Sequence, residues 1–247
     1  MKIKLEKIAN ILSSALFPNF SCAICGSEMA NNEYGVCDSC KESLNVHNGS
    51  CCRKCGEPLD FARDFCPACA KENYEFDRAV SFCEYNETSG KLIKDLKYNN
   101  KRYIAKIIAK FLLNKIEEHN LKFDVITFVP AMNVTLKERG FNQGELIGEE
   151  LSLLTNIKLE NLLERSRGTR RQATLSGKER KENLKGAFAL SSAFNIKGKT
   201  VLIVDDVFST GTTLSECSKA LKTGKLKKII ALTLAKVHFL SKFTNKE

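Results

Sequence analysis

Two rhythms divide the chain near residue 72. Downstream, short runs of apolar, largely β-branched residues alternate with stretches whose apolar positions recur at helical spacing. The runs predict strands at 79–85, 124–129, 159–163, 187–190, 200–204 and 228–234. The spaced stretches predict helices at 89–98, 102–118, 145–154, 178–184 and 214–222. Such alternation predicts an α/β fold, an open parallel sheet flanked by helices. Val201, Leu202, Ile203 and Val204 show no polar face, so they form a central strand buried on both sides. Upstream, residues 1–18 carry Ile3, Leu5, Ile8, Ile11, Leu12 and Leu16 among Lys2, Lys4, Glu6 and Lys7. They read as an amphipathic helix that packs on the body, a partner or a membrane surface; the charges argue against a signal peptide. No run is long and apolar enough to span a membrane. The expected organisation is a helix at 1–18, a small module at 19–72, a sheet domain at 73–240 and a basic tail at 241–247.

Composition changes the picture first in the small module, which holds nine of the eleven cysteines. Eight fall into knuckles with two residues between thiols: Cys22 and Cys25, Cys37 and Cys40, Cys52 and Cys55, Cys66 and Cys69. Gly26 and Gly56 supply the tight turn after the first and third knuckles. This spacing suits tetrahedral Zn²⁺ rather than disulfides, and four knuckles make two Cys₄ sites. Sequential and crossed pairing of the knuckles are both open. The sites are structural, because no pattern leaves a ligand position free for catalysis. The module is too short and polar to hold much core, so zinc must supply on the order of 10 kcal/mol per site. Loss of Cys22 or Cys66 is therefore expected to unfold this double zinc ribbon and leave the sheet domain intact. Cys51 reads as spare; Cys83 and Cys217 read as core thiols.

The central strand leads into the chemistry. Asp205 and Asp206 follow it, then Ser209, Thr210, Gly211, Thr212 and Thr213, then a helix with Thr213 and Glu216 placed as a capping box. A helix N-terminus offers N–H groups and partial positive charge to an anion. Gly211 lets the backbone close on a phosphate, and the hydroxyls add donors. Two carboxylates beside a phosphate site suit the hydroxyls of a sugar or a magnesium shell. The ligand implied is a sugar phosphate held beyond the carboxyl ends of the strands. Gly198, Lys199 and Thr200 mimic the end of a phosphate-binding P-loop, but the first glycine is missing and a strand follows.

Charge sharpens this. The formal net charge is +10; two Cys₄ zinc sites at about −2 each would bring it to roughly +6. Residues 91–110 hold seven Lys or Arg against Asp95 alone, 165–185 hold eight, and 219–246 hold eight lysines and no carboxylate. Three such clusters favour a phosphate-rich partner. Tyr98 and Tyr103 lie beside lysines, and Phe61 and Phe65 lie in the ribbon; these are the few candidates for stacking on bases. Pro130, Ala131, Met132 and Asn133 leave a second strand end. Arg139, Gly140, Phe141, Asn142 and Gln143 precede a helix. Residues 169–177 have no periodicity and carry Arg170, Arg171 and Gln172 as a basic loop of the kind that closes over phosphate sites.

The ordered set resembles the ComF family: the cysteine knuckles, Val-Pro at 129–130, Arg-Gly-Phe-Asn-Gln at 139–143, Arg-Gln-Ala-Thr-Leu at 171–175, Glu-Asn-Leu-Lys-Gly-Ala-Phe at 182–188 and the Asp205–Thr213 stretch. That stretch is also similar to the phosphoribosyl-pyrophosphate (PRPP) loop of type I phosphoribosyltransferases. The likeness runs from about residue 22 to 234. It implies that Asp205 and Asp206 bind ribose hydroxyls and that Ser209, Thr210, Gly211, Thr212 and Thr213 hold the 5-phosphate. Ala131, Met132 and Asn133 would form the pyrophosphate loop. Arg139, Asn142 and Gln143 are the signature turn, and Arg170, Arg171 and Gln172 lie in the hood loop. This chain has Met132 and Thr135 where family members often carry a proline nearby and a basic residue.

The activity implied is Mg²⁺-dependent transfer of phosphoribose from PRPP, or binding of another ribose 5-phosphate, linked to competence and DNA uptake. No covalent nucleophile is required, and Asp205 and Asp206 are the candidate catalytic residues through substrate contact. The rival is a binding protein that uses the same fold to grip single-stranded DNA, with DNA-uptake proteins as partners. The expected location is the cytoplasm, at most peripheral to the inner face of the membrane.

Overall fold

The computed structural model describes residues 21–29, 34–59, 64–71, 73–166 and 177–238. The amphipathic segment at 1–18, the basic tail, Phe61, Arg170, Arg171 and Gln172 lie outside them. The ribbon contributes two short helices, α1 (Asp38–Glu42) and α2 (Pro67–Lys71). Then follow β1 (Arg78–Glu84), α3 (Glu87–Tyr98), α4 (Ile104–Glu118), β2 (Val125–Phe128), α5 (Asn133–Arg139) and α6 (Gln143–Thr155). The chain continues through β3 (Leu163–Arg165), α7 (Gly177–Leu184), β4 (Phe188–Leu190), β5 (Thr200–Phe208), α8 (Thr212–Lys222) and β6 (Lys228–Lys236).

The main sheet has the order β1-β6-β5-β2, and every pairing is parallel. Over most of their length its strands alternate between two cores. Leu202, Val204, Ile230, Leu232, Val80 and Phe82 face α3, α4 and α6. Val201, Ile203, Ile229, Ala231 and Ala79 face α8 and the β3–β4 ribbon. A period of two is what a strand covered on both faces requires, since successive side chains point to opposite sides.

Neither edge of the sheet is bare. Residues 45–47 run antiparallel along β1, with the His47 N–H donating to Phe82 O at 2.9 Å and the Glu84 N–H to Asn45 O at 3.1 Å. Residues 158–160 lie parallel along β2, through Ile126 N–H to Lys158 O and Glu160 N–H to Ile126 O, each 2.9 Å. The apolar run at 159–163 is therefore not one strand. Its first residues cover β2; after Leu162 the chain turns and pairs antiparallel with β4.

The ribbon does not stand apart, which revises the expectation that it unfolds alone. Its first half places Cys22, Ile24, Val36 and Leu44 in the core of the α3–α4 face. There Tyr34 stacks on Phe111 at 5.4 Å and Phe111 stacks on Phe82 at 4.6 Å. Its second half places Cys52, Cys55 and Cys66 in the core of the α8 face, beside Phe76 and Ala79. The ribbon thus straddles the β1 edge and extends both cores. Gly56 sits at a close approach: its φ is +70°, and a Cβ there would lie 2.9 Å from Ala79 O.

Candidate functional site

Asp205 and Asp206 were expected past the end of the central strand. They lie within it, because β6 continues to supply partners as far as Phe208 opposite Lys236. The neighbour that stops is β2, whose last register pair is Phe128 with Val204. The Val129 N–H gives Val204 O its final bond at 3.1 Å. Beyond that point β5 has a partner on one side only, and the acidic pair projects where β2 has ended.

The two carboxylates are not equivalent. Asp206 is 4% exposed, and the Lys97 ammonium from α3 ion-pairs with its Oδ2. Gln143 Nε2 donates to Oδ1 at 3.3 Å. Burial opposes the charge on Asp206, yet Lys97 and these hydrogen bonds hold its pKa below the ordinary carboxylate value. Asp205 takes the opposite course. Burial first, and then the charge of Asp206, push it well above that value, although it accepts the Asp206 N–H at 2.9 Å. Two adjacent carboxylates in a poorly solvated place cannot both ionise freely, and Lys97 decides which one does.

The turn that follows is fixed by glycine. Gly211 is the N-cap of α8 with φ +73°, in the left-handed region that an L side chain rarely adopts. A Cβ there would lie 2.7 Å from the rings of both Tyr74 and Phe208. The helix starts at Thr212, so the capping box of Thr213 and Glu216 does not form. Glu216 instead accepts the Gly186 N–H at 3.0 Å. Thr210 and Thr212 hydroxyls meet at 2.9 Å, and Tyr74 donates to Thr210 O at 3.1 Å. Ser209, Thr210, Gly211, Thr212 and Thr213 thus form a braced turn at a helix N-terminus, a short distance along the chain from the acidic pair. On its ribbon side lies a cleft of about 390 Å³ lined by Cys66, Tyr74, Thr210, Thr212, Lys219 and Lys236, among others.

The Arg139–Gln143 turn meets the same place from α5 and α6. Asn142 is buried and caps α6, its Oδ1 accepting the Gly144 N–H at 2.8 Å while its Nδ2 donates to Val129 O at 3.0 Å. It ties the helix start to the end of β2. Gly144 allows the close seat, since a Cβ would come within 3.3 Å of Val204 O. Arg139 donates to Gln143 Oε1 at 3.4 Å, and its guanidinium lies 4.6 Å from the Tyr98 ring. Met132 is the N-cap of α5 and Asn133 its first residue, so Ala131, Met132 and Asn133 bridge β2 and α5 at this end of the sheet. Arg165 Nε donates to Pro130 O at 3.0 Å, just before them.

The structure therefore brings the acidic pair, the hydroxyl-rich turn, the signature turn and the 131–133 segment to one end of the sheet. Lys97 escaped the sequence reading except as one of a basic cluster. The signal was there: it lies four residues from Ile93 and next to Leu96, at the border of the buried stripe of α3, where a solvated lysine is out of place.

The cysteines resolve into Cys22, Cys25, Cys37 and Cys40 on one side and Cys52, Cys55, Cys66 and Cys69 on the other. Pairing is sequential. Within each set the thiol sulfurs lie within 4.8 Å of one another, with Cys25 and Cys37 at 3.8 Å and Cys55 and Cys66 at 3.6 Å. Zn–S bonds of about 2.3 Å imply tetrahedron edges of about 3.8 Å, so both sets fit Zn²⁺. The two halves repeat each other locally. Cys22 N–H to Ser27 O and Gly26 N–H to Cys22 O correspond to Cys52 N–H to Glu57 O and Gly56 N–H to Cys52 O. Cys83 and Cys217 are fully buried core thiols, and burial pushes the Cys83 thiol up to about 12.

Comparison with known proteins agrees with both parts. Residues 96–242 match the phosphoribosyl transferase domain, and residues 12–70 match the double zinc ribbon domain. Competence protein F of Haemophilus influenzae is 32% identical over 213 residues, covering 83% of this chain and 92% of that protein. The DNA utilization protein YhgH of Escherichia coli is 30% identical over 206 residues, covering 81% and 89%. The competence protein ComFC of Streptococcus pneumoniae is 24% identical over 231 residues, covering 87% and 99%. Among solved structures, an adenine phosphoribosyltransferase overlays loosely, with a TM-score of 0.40 at 14% identity over 60% of this chain and 79% of that one. From the sequence relatives and the two matched domains, the chain belongs to the ComF family, a double zinc ribbon joined to a phosphoribosyltransferase domain.

Proposed function

We propose that the chain binds PRPP at the carboxyl end of β5 and transfers its phosphoribosyl group to a nucleophilic acceptor, in the handling of DNA taken up during competence. One observation carries this reading. A carboxylate pair and a hydroxyl-rich helix N-terminus follow each other at the carboxyl end of a parallel strand, the two kinds of group a ribose 5-phosphate presents partners for. Asp205 and Asp206 take the ribose hydroxyls; Ser209, Thr210, Gly211, Thr212 and Thr213 take the 5-phosphate. Ala131, Met132 and Asn133 face the diphosphate. The names of the relatives support the link to competence and DNA utilization. The reading places the protein in the cytoplasm; among the described residues no helix is long and apolar enough to cross a membrane.

Departure of pyrophosphate from C1 leaves positive charge on the sugar and adds negative charge to the leaving group. The protein needs no nucleophile of its own. Its task is to fix the sugar by both ends and to offer donors to the diphosphate. Lys97 already pairs with Asp206, and burial together with the Asp206 charge pushes Asp205 upward, so a divalent ion at the pair would meet a resident cation. Mg²⁺ would accordingly be held by the diphosphate of the ligand.

The deciding experiment is calorimetric titration of PRPP with Mg²⁺ into the zinc-loaded protein beside an Asp205→Asn/Asp206→Asn variant. Binding by the wild type and its loss in the variant is the expected result. Absence of binding by the wild type overturns the reading.

A second reading is favoured by one observation. Tyr98 and Tyr103 are not core residues; they are 68% and 56% exposed. They stand beside Lys101 and Arg102, a suitable platform for single-stranded nucleic acid. Binding of an oligonucleotide that weakens steeply with salt, and weakens again in a Tyr98→Ala/Tyr103→Ala variant, would mark this surface.

A further inference from the structure

The ligand site contains a cation of its own. Lys97 leaves the last turn of α3, and its ammonium pairs with Asp206 Oδ2. The lysine side chain is 21% exposed and that of Asp206 5%. The backbone on either side is anchored: Leu96 is fully buried, and the Tyr98 ring lies under the Arg139 guanidinium. Arg139 donates to Gln143, and Gln143 donates to the other oxygen of Asp206. Lys97, Tyr98, Arg139, Gln143 and Asp206 therefore close a circuit in which the carboxylate is held at both oxygens. The charges around the ammonium are Asp206 and Asp205, which attract it, and Arg139, which repels it.

An unpaired acidic couple would draw a divalent ion. Here the positive charge is already in place and is carried by the chain. We propose, resting on the ribose-phosphate reading above, that Lys97 is the resident counter-cation of the site. It positions Asp206 to accept the sugar hydroxyls and makes that recognition independent of a divalent metal. Lys97 is a positioning residue: it acts through Asp206. The consequence separates two ligands. Ribose 5-phosphate, which has no diphosphate, binds equally with and without Mg²⁺. PRPP gains affinity from Mg²⁺ through its diphosphate alone.

The test is calorimetry of ribose 5-phosphate and of PRPP, each with and without added Mg²⁺, on the zinc-loaded whole chain. Wild type is compared with Lys97→Met, Lys97→Gln and Lys97→Arg, after circular dichroism and zinc content have shown which variants are folded. Lys97→Met is expected to lose ribose 5-phosphate affinity by about 10- to 100-fold, the worth of a hydrogen bond to a charged group. Added Mg²⁺ should restore part of the loss, and Lys97→Arg should retain most of the affinity. Lys97→Gln carries the comparison if Lys97→Met does not fold. In the ligand-free proteins, carbon-13 NMR should show the Asp206 carboxyl titrating at higher pH in the neutral variants and unchanged in Lys97→Arg. Wild-type affinity for ribose 5-phosphate that requires Mg²⁺ overturns the proposal, as does a folded Lys97→Met or Lys97→Gln that binds it like wild type. If wild type binds neither ligand, the ribose-phosphate reading falls. The Asp206 titration then decides alone, and a midpoint indifferent to Lys97 overturns the role assigned to it.

Discussion

The two halves of the ribbon are nearly the same local object. Each has a knuckle, a glycine in the left-handed region, a backbone turn and a short helix. They differ in what lies beneath. The first rests on Tyr34, Phe111 and Phe82, on the sheet face that bears α3 and α4. The second rests on Phe76, which stacks on Tyr74 at 4.9 Å and meets Phe208 edge-on at 6.0 Å. Tyr74 and Phe208 are the rings that crowd Gly211 in the proposed phosphate turn. One zinc site therefore supports a core, and the other supports a core and the floor of the proposed ligand site. A duplicated sequence device acquires its role from the surface on which it lands.

The largest effect that could break this contrast is loss of metal, on the order of 10 kcal/mol for each site. Cys25→Ser and Cys66→Ser should each release one zinc, seen by metal analysis, and both should lower the melting temperature. Only Cys66→Ser should also abolish ribose-phosphate binding in molecules that remain folded; equal loss in both would erase the distinction. Next is Phe111→Ala, which empties a fully buried aromatic position shared by the first half-ribbon and the sheet. It should cost about 3–5 kcal/mol by denaturant unfolding, with ligand affinity retained in the folded protein.

Gly211→Ala addresses the other side. A positive φ and two rings at 2.7 Å oppose the methyl group, so a loss of about 1–3 kcal/mol is expected, together with weaker ribose-phosphate binding. Unchanged binding would mean that the turn is not the phosphate cradle. The smallest and most local change is Tyr74→Phe. It removes the hydroxyl that holds Thr210 O and should cost about 0.5–1.5 kcal/mol. Faster hydrogen exchange confined to residues 209–213 would show that the second half-ribbon braces the turn.

The strands of the main sheet, the acidic pair and the zinc spacing were legible in sequence because each rests on short-range rules: period, spacing and turn chemistry. What escaped depends on contacts between distant segments. Strand β5 outlasts its apolar run because β6 supplies hydrogen bonds that Asp205 and Asp206 themselves do not advertise. The capping box failed because Gly211 can cap from the left-handed region one residue ahead of the helix. The pairing of the knuckles, and the debt of each half-ribbon to a different sheet face, follow from tertiary packing alone. Lys97 was visible as a charge but not as a partner, since it lies 109 positions before Asp206 in the chain.

The stub at 45–47 has a consequence for what happens when metal is scarce. A parallel sheet rich in valine, isoleucine and leucine presents at its edge a row of hydrogen-bonding groups ready to recruit another chain. Here the edge of β1 is closed by the link between the two zinc sites. A molecule that fails to acquire zinc leaves that edge uncovered. Its first failure would be self-association, so the supply of zinc would set how much protein stays dispersed before it sets how much is active.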